Sequence, residues 1–167
     1  MGGSKWSTKK LGAPMDLERI NINVGGERAP GFIGSDEVFE KIGALVGAQL
    51  PKDYVDFIRA ADGGHPEVGS FFLDGDGIGS SFTVDWFYTF SNPNVENIET
   101  AINRWGNVLG RMMLPIARDG GGNQFYLNLN DDVPTVWIYL HDSGERIELS
   151  RSFLEFLSAL ADHPDFI

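Results

Sequence analysis

The stretch Leu114–Asn130, LPIARDGGGNQFYLNLN, constrains the fold more than any other. Two β-prone apolar runs flank Arg118–Asn123, and three consecutive glycines sit inside that break. Glycine reaches positive φ at no steric cost, and Asp or Asn can hydrogen-bond its own backbone in a tight turn. The segment is therefore expected to fold Leu114–Ala117 back onto Gln124–Leu129 as an antiparallel hairpin. A phosphate cradle is the competing reading, and the residues do not support it. A P-loop continues into Gly-Lys-Ser/Thr, whereas Asn123, Gln124 and Phe125 follow here. The next element reads as a strand, so no helix N-terminus faces an anion.

The rest of the chain supplies helices at both ends of a strand-rich middle. Ser35 is a good N-cap, and Asp36 and Glu37 suit the positive end of the helix it starts. Val38, Phe39, Ile42, Leu45 and Val46 fall on one face. Pro51 fits the first turn of a second helix with Tyr54, Phe57, Ile58 and Ala61 inward. Gly63 and Gly64 are expected to stop it. Phe71–Leu73 and Phe82–Phe90 read as strands. A third helix is expected from Asn92–Pro93, with Val95, Ile98, Ala101, Ile102 and Trp105 inward and Gly106 as its stop. Strands follow near Met113–Ala117, Gln124–Leu129, Thr135–His141 and Arg146–Leu149, with "DSGE" turning between the last two. Ser152 and Glu155 form a capping box, and Phe153, Phe156, Leu157 and Leu160 line the closing helix. This order predicts an α+β fold with a mainly antiparallel central sheet flanked by N-terminal and C-terminal helices. Residues 1–14 are expected to be a loose tail. Residues 15–34, with Gly25, Gly26, Pro30 and Gly31, extend it as a loop-rich lead-in. Residues 35–167 then form a single domain.

Composition narrows the function. The 167 residues carry 24 acidic against 13 basic side chains, a net charge of −11. Free nucleic acid would be repelled without a basic patch, and the densest one is only Lys5, Lys9 and Lys10. A basic protein partner suits this field, since opposite charges speed encounter and penalise wrong partners. The chain has no cysteine, which removes disulfides, thiolate chemistry and Cys-based zinc sites. No apolar run is long enough to span a membrane, and the start lacks the apolar core of a signal peptide. A cytoplasmic protein fits these features.

In "DGDGIGSSFTVD", Asp74, Asp76, Gly79 and Asp85 match positions one, three, six and twelve of a calcium loop. Ile78, however, offers no side-chain oxygen at position five, and Asp85 is shorter than the bidentate Glu at twelve. An acidic hairpin loop is the better reading. Ser80 breaks the dinucleotide pattern after Gly75 and Gly77. His65, His141 and His163 lack zinc-helix spacing. His141 and Asp142 are adjacent on a strand and so are expected to point apart. No serine sits in G-x-S-x-G. No catalytic residue, metal or cofactor is assigned. What remains is surface: Trp86 and Tyr88, on one side of an alternating strand, with Asp74, Asp76 and Asp85 form a candidate protein-binding patch.

Three quoted segments carry a family resemblance. "LPKDYVDFIRAADGGHPE", "LPIARDGGGNQFYLNL" and "VWIYLHD…SFLEFLSAL" resemble, in this order and spacing, the SUKH superfamily. That group includes fungal Smi/Knr-type cell-wall regulators and many bacterial immunity proteins. The match spans about residues 35–162. The L-P-x-D-Y motif falls on Leu50, Pro51, Asp53 and Tyr54. The glycine pair is Gly63 and Gly64, preceded by Asp62 where Asn is usual. The P-I-A-x-D-x-x-G-N motif falls on Pro115, Ile116, Ala117, Asp119, Gly122 and Asn123. The acidic–histidine pair of the family is reversed here as His141–Asp142. Physically these look like fold determinants rather than a partner-reading surface. The resemblance implies no catalysis. It implies instead an immunity protein, a monomer or weak dimer, that binds and neutralises a cognate toxin of a bacterial polymorphic or contact-dependent system. A nuclease toxin with a basic cleft suits the charge. A non-catalytic scaffold or regulatory domain is the alternative, and a ligand binder using the loops near Asp74 or Asp119 is a further one.

Overall fold

The computed structural model describes residues 15–74 and 80–163. In chain order the elements are α1 (Leu17–Ile20), β1 (Ile22–Val24), β2 (Glu27–Arg28), α2 (Asp36–Val46), α3 (Lys52–Ala60), β3 (His65–Pro66), β4 (Ser70–Phe72), β5 (Ser81–Thr83), β6 (Trp86–Phe87), α4 (Ile98–Leu109), β7 (Met113–Arg118), β8 (Gln124–Asn128), β9 (Thr135–Leu140), β10 (Glu145–Ser150) and α5 (Phe153–Ala159). The central sheet is antiparallel with strand order β10-β9-β8-β7-β6; smaller sheets run β2-β1-β3 and β4-β5. The expected α+β architecture is the one found.

The β7–β8 hairpin forms as its glycines dictate, pairing Leu114 with Leu127 and Arg118 with Gln124. A register shift between Pro115 and Ala117 marks a bulge. A bulge is one of the few places a proline is tolerated within a sheet. One face of the sheet carries Phe125, Leu127, Val136 and Ile138, all fully buried. It meets a run of rings from the helices. Phe156 lies 5.8 Å from Phe125, Phe153 lies 5.2 Å from Phe57, and Phe57 lies 4.9 Å from Phe87. Ring pairs at these separations add to the stabilisation that burial alone gives. Ser152 caps α5 through the backbone N–H of Glu155 at 3.1 Å, and Ser35 caps α2 through that of Glu37 at 3.1 Å.

Several boundaries depart from expectation, each for a local reason. Phe82–Phe90 is not one strand. β5 pairs with β4 and β6 with β7, so the chain changes sheet at Val84–Asp85. α4 begins at Ile98, capped by the Asn97 side chain, and runs past Gly106 to Leu109. Asn92–Asn94 instead forms a separate turn in which Asn92 caps the Asn94 N–H. On α2, Leu45 is exposed and Gly43 takes the inner position. A Cβ at Gly43 would meet the Ala48 carbonyl oxygen at 2.7 Å.

α3 ends at Ala61 in extended conformation, before Gly63. The Gly63–Gly64 pair serves a close approach instead. Gly64 and Phe87 exchange backbone hydrogen bonds at 3.0 and 2.8 Å, joining β3 to β6. A Cβ at Gly63 would stand 2.9 Å from the Phe87 carbonyl oxygen. Residues 15–34 are more than a lead-in. Ile20, Ile22, Ala29 and Phe32 are buried in the common core. Arg19 donates to the carbonyls of Leu160 at 2.6 Å and Leu157 at 2.9 Å, closing the C-terminal end of α5. Elements this short leave no periodic signature in a sequence.

Candidate functional site

Asp85 and Trp86 lie at the β6 edge of the central sheet, where Trp86 pairs with Arg118. Trp86 is half-exposed, and its indole lies 6.1 Å from the His65 ring. Tyr88 does point to the same side as Trp86, but it is fully buried, so the surface patch loses it. Its hydroxyl donates to the Gln124 side-chain carbonyl, itself buried. Burial first, and the Glu96 carboxylate second, push the Tyr88 hydroxyl well above the usual phenol range. The helix α4, which packs on β7, covers it.

Asp85 is not a free steering charge either. Its carboxylate meets Arg118 Nη1 at 3.1 Å, and Arg118 Nε meets Glu96 at 3.1 Å. Glu96 in turn faces Arg104 at 3.7 Å, so the chain of charges is largely self-neutralised. His65 Nδ1 lies 2.7 Å from the Asp85 backbone oxygen. Asp74 is exposed at the end of β4, in a different sheet from Trp86. Asp76 lies outside the described residues. Of the four described positions, Tyr88 is buried and Asp85 is paired, so only Asp74 and Trp86 remain as exposed or half-exposed groups.

The signature residues divide. Leu50, Tyr54, Pro115, Ile116 and Ala117 are buried, and Pro51 occupies the N-cap of α3. Tyr54 has its hydroxyl enclosed without a hydrogen-bond partner among the described residues. Asp119 organises the hairpin turn. One carboxylate oxygen accepts from the N–H of Gly121 at 3.0 Å and of Asn123 at 2.8 Å; the other accepts from Asn123 Nδ2 at 2.9 Å. Asn123 Oδ1 accepts from the His141 N–H at 2.9 Å. His141 Nε2 lies 2.8 Å from the Gly121 carbonyl. His141 and Asp142 do approach, at 3.4 Å, because the strand has ended and alternation no longer applies. Both Asp119 carboxylate oxygens and the Asn123 amide oxygen thus bond the protein's own chain. Asp53 differs: it is half-exposed and accepts no hydrogen bond among the described residues. Burial, then the Asp56 charge, raises its carboxyl above the usual range.

Sequence reasoning missed an aromatic strip on the outer face of the sheet. Trp137 and Tyr139 alternate with the buried Val136 and Ile138 on β9. Trp137 stacks on Tyr126, and Trp105 from α4 meets Tyr139 at 6.1 Å. Arg146 lies over Tyr126 and Tyr139 while donating to the last carbonyls of α4. Trp105, Trp137 and Tyr139 are half-exposed, and exposed Glu148 pairs across from Trp137. The alternation of "VWIYL" was the available signal. Between α4 and the 119–123 turn lies a cleft of about 360 Å³ lined by Glu96, Arg104, Trp105, Arg118 and Gln124.

Among the described residues no group of three or more His, Asp or Glu side chains could hold a metal ion. No helix of the described chain is long and apolar enough to cross a membrane.

A buried, internally bonded signature hairpin on a sheet flanked by capped helices is the pattern a family profile detects. The profile of the SMI1 / KNR4 family (SUKH-1) matches residues 34–159. The chain belongs to the SUKH family. That family includes immunity proteins and is known for non-catalytic interaction domains. The chain is also similar to the SPbeta prophage-derived uncharacterized protein YokK of Bacillus subtilis (strain 168), with 26% identity over 165 residues, covering 89% of this chain and 84% of that protein.

Proposed function

We propose that this SUKH protein is an immunity protein, which acts in the cytoplasm by binding a basic cognate toxin, a nuclease in the first instance, and blocking it. The observation that carries the reading is what the fold does with its cations. Arg28, Lys41, Lys52, Arg59, Arg104 and Arg118 each face a carboxylate. Arg19 and Arg146 hold the carbonyl ends of α5 and α4. Few cations remain to offset the exposed acids, so the outward field is negative. Nuclease clefts are built to hold phosphate and attract such a field. Half-exposed Trp86, Trp105, Trp137 and Tyr139 supply the ring anchors that dominate binding energy at interfaces. The similarity to a prophage-derived protein is compatible with a mobile toxin–immunity setting.

The test is co-expression with the toxin-like product of the neighbouring gene, followed by co-purification and a nuclease assay. Complex formation with loss of cleavage is expected. Absence of both refutes the reading. A stable complex that leaves toxin activity intact favours the scaffold alternative.

A further inference from the structure

Two concavities join along the α2–α3 corner. One, of about 730 Å³, runs between α2 and α3; the other, of about 470 Å³, lies between the start of α3 and the β8–β9 turn. They share Gln49, Leu50 and Lys52, so they form one continuous groove. We propose that this groove receives a segment of a partner protein in which an apolar side chain is flanked by lysines or arginines.

The floor is apolar and small: exposed Ala44, half-buried Ala48 and Val55, and Val133, which is 60% exposed. Such a floor takes a side chain rather than a bulky element. The rim is acidic. Asp36 and Glu40 stand at one end and Asp53, Asp131 and Asp132 at the other, against Lys52 as the one cation. Lys52 is held by Asp56 at 2.7 Å, and Asp36 is paired with Arg59. Asp131 accepts the Thr135 hydroxyl at 2.8 Å but faces no cation. Among the described residues Glu40, Asp131 and Asp132 therefore have no ion-pair partner around the apolar floor, and Asp53 has near it only the Lys52 that Asp56 already holds. An arriving cation would relieve the crowding of Asp53 by burial and Asp56. A second copy of this chain fits badly, because its net charge is −11 and most of the cations among the described residues are engaged within the fold. Nucleic acid would meet only carboxylates. Leu50, Pro51 and Asp53, three positions of the L-P-x-D-Y signature, line the groove. Asp53 stands in the first turn of α3, where a carboxylate suits the helix end, and it is half-exposed toward the groove.

The groove rests on the toxin-binding reading only for the identity of its partner, so two arms separate them. In the first, a synthetic leucine–lysine amphipathic peptide and its leucine–glutamate counterpart are titrated by fluorescence anisotropy. The lysine peptide is expected to bind and the glutamate peptide not to. Ala44→Trp, which fills the floor without altering charge, and the pair Asp131→Lys/Asp132→Lys should each weaken it by about tenfold, roughly the cost of one lost hot-spot contact. Glu145→Lys/Glu148→Lys, the same charge change on β10 and outside the groove lining, should leave it within about twofold. All are surface substitutions, and thermal unfolding checks that each variant is folded. No binding of the lysine peptide, equal loss in both charge pairs, or undiminished binding by Ala44→Trp overturns the proposal. In the second arm the same variants are tested for protection against the neighbouring toxin. Protection by wild type and by all groove variants alike refutes the groove and leaves the immunity role standing. Failure of wild type to protect, with groove-dependent peptide binding intact, does the reverse.

Discussion

Removing the Asp119 carboxylate decides whether the glycine turn is scaffold or site. Asp119→Ala deletes three hydrogen bonds, to the N–H groups of Gly121 and Asn123 and to the Asn123 amide. It also frees Asn123, whose Oδ1 ties His141 to the turn. A net hydrogen bond contributes about 0.5–1.5 kcal/mol, and a charged one up to about 3. Asp119 is half-exposed, so water replaces part of each bond and the lower range applies. The expected loss is about 2 kcal/mol. With a urea slope of about 2 kcal/mol/M, the unfolding midpoint should fall by about 1 M. Asp119→Asn keeps one acceptor oxygen but sets an amide against the Asn123 amide, so it should lose about half as much. Urea titration followed by tryptophan fluorescence reads both. Binding by folded Asp119→Ala, measured well below its midpoint, should match wild type. An unchanged midpoint together with lost partner binding would refute the reasoning, because it would make the turn a contact surface.

Two further outcomes follow from buried polar groups. Asp62 is buried and accepts from the Phe90 N–H at 2.7 Å, the Ser91 N–H at 3.1 Å and the Ser91 hydroxyl. Asp62→Ala should cost about 3–4 kcal/mol, since it strands buried donors, and a drop in urea midpoint below about 0.5 M would contradict this. Burial raises the hydroxyls of Tyr54 and Tyr88 above the usual phenol range. The native state then keeps two protons that the unfolded chain releases near pH 10, so their contribution is intact below about pH 10 and is lost as pH rises beyond it, at about 1.4 kcal/mol per tyrosine per pH unit. Tyrosinate absorbance should rise for these two only together with unfolding, and Tyr88→Phe should make the alkaline decline shallower; ionisation of both in a folded protein would contradict the assignment.

The sequence was legible where local chemistry and global packing agree. The β7–β8 hairpin was readable because Gly122 supplies the positive φ and Asp119 the side-chain acceptor that a tight turn needs, and α5 because its capping box and apolar stripe coincide. Legibility failed where a distant segment overrides a local pattern. Tyr88 reads as one of an alternating pair with Trp86, yet the fold buries it. Asp85 looked like free charge, but Arg118, thirty-three residues later, neutralises it. Phe82–Phe90 has uninterrupted strand propensity, but its halves pair with different partners. The groove was invisible because its walls, near residues 36–55 and 129–134, meet only in three dimensions. The aromatic strip was written in "VWIYL", whose period-two alternation exposes Trp137 and Tyr139.

The acidity of this chain is best understood as a consequence of how the fold uses cations. Arginine is the side chain able to satisfy several helix-end carbonyls at once, and its charge also favours the negative end of the helix dipole. Arg19 and Arg146 are placed there, one on α5 and one on α4. Arg59 spans the Phe32 and Phe39 rings while bonding the Phe32 and Gly34 carbonyls. Arg118 sits between two carboxylates beneath the signature turn. Cations spent on architecture cannot vary without cost to the fold, whereas Glu40 and Asp132 on the groove rim and Glu148 on the outer sheet face make no hydrogen bond or ion pair among the described residues. A partner can therefore be selected by changing acids and rings at those two surfaces while the hairpin, the bulge and the arginine clamps stay fixed. This division predicts that substitutions at Glu40, Asp132, Glu148 and Trp137 alter partner choice far more than stability, and that substitutions at Arg19, Arg118 and Asp119 do the opposite.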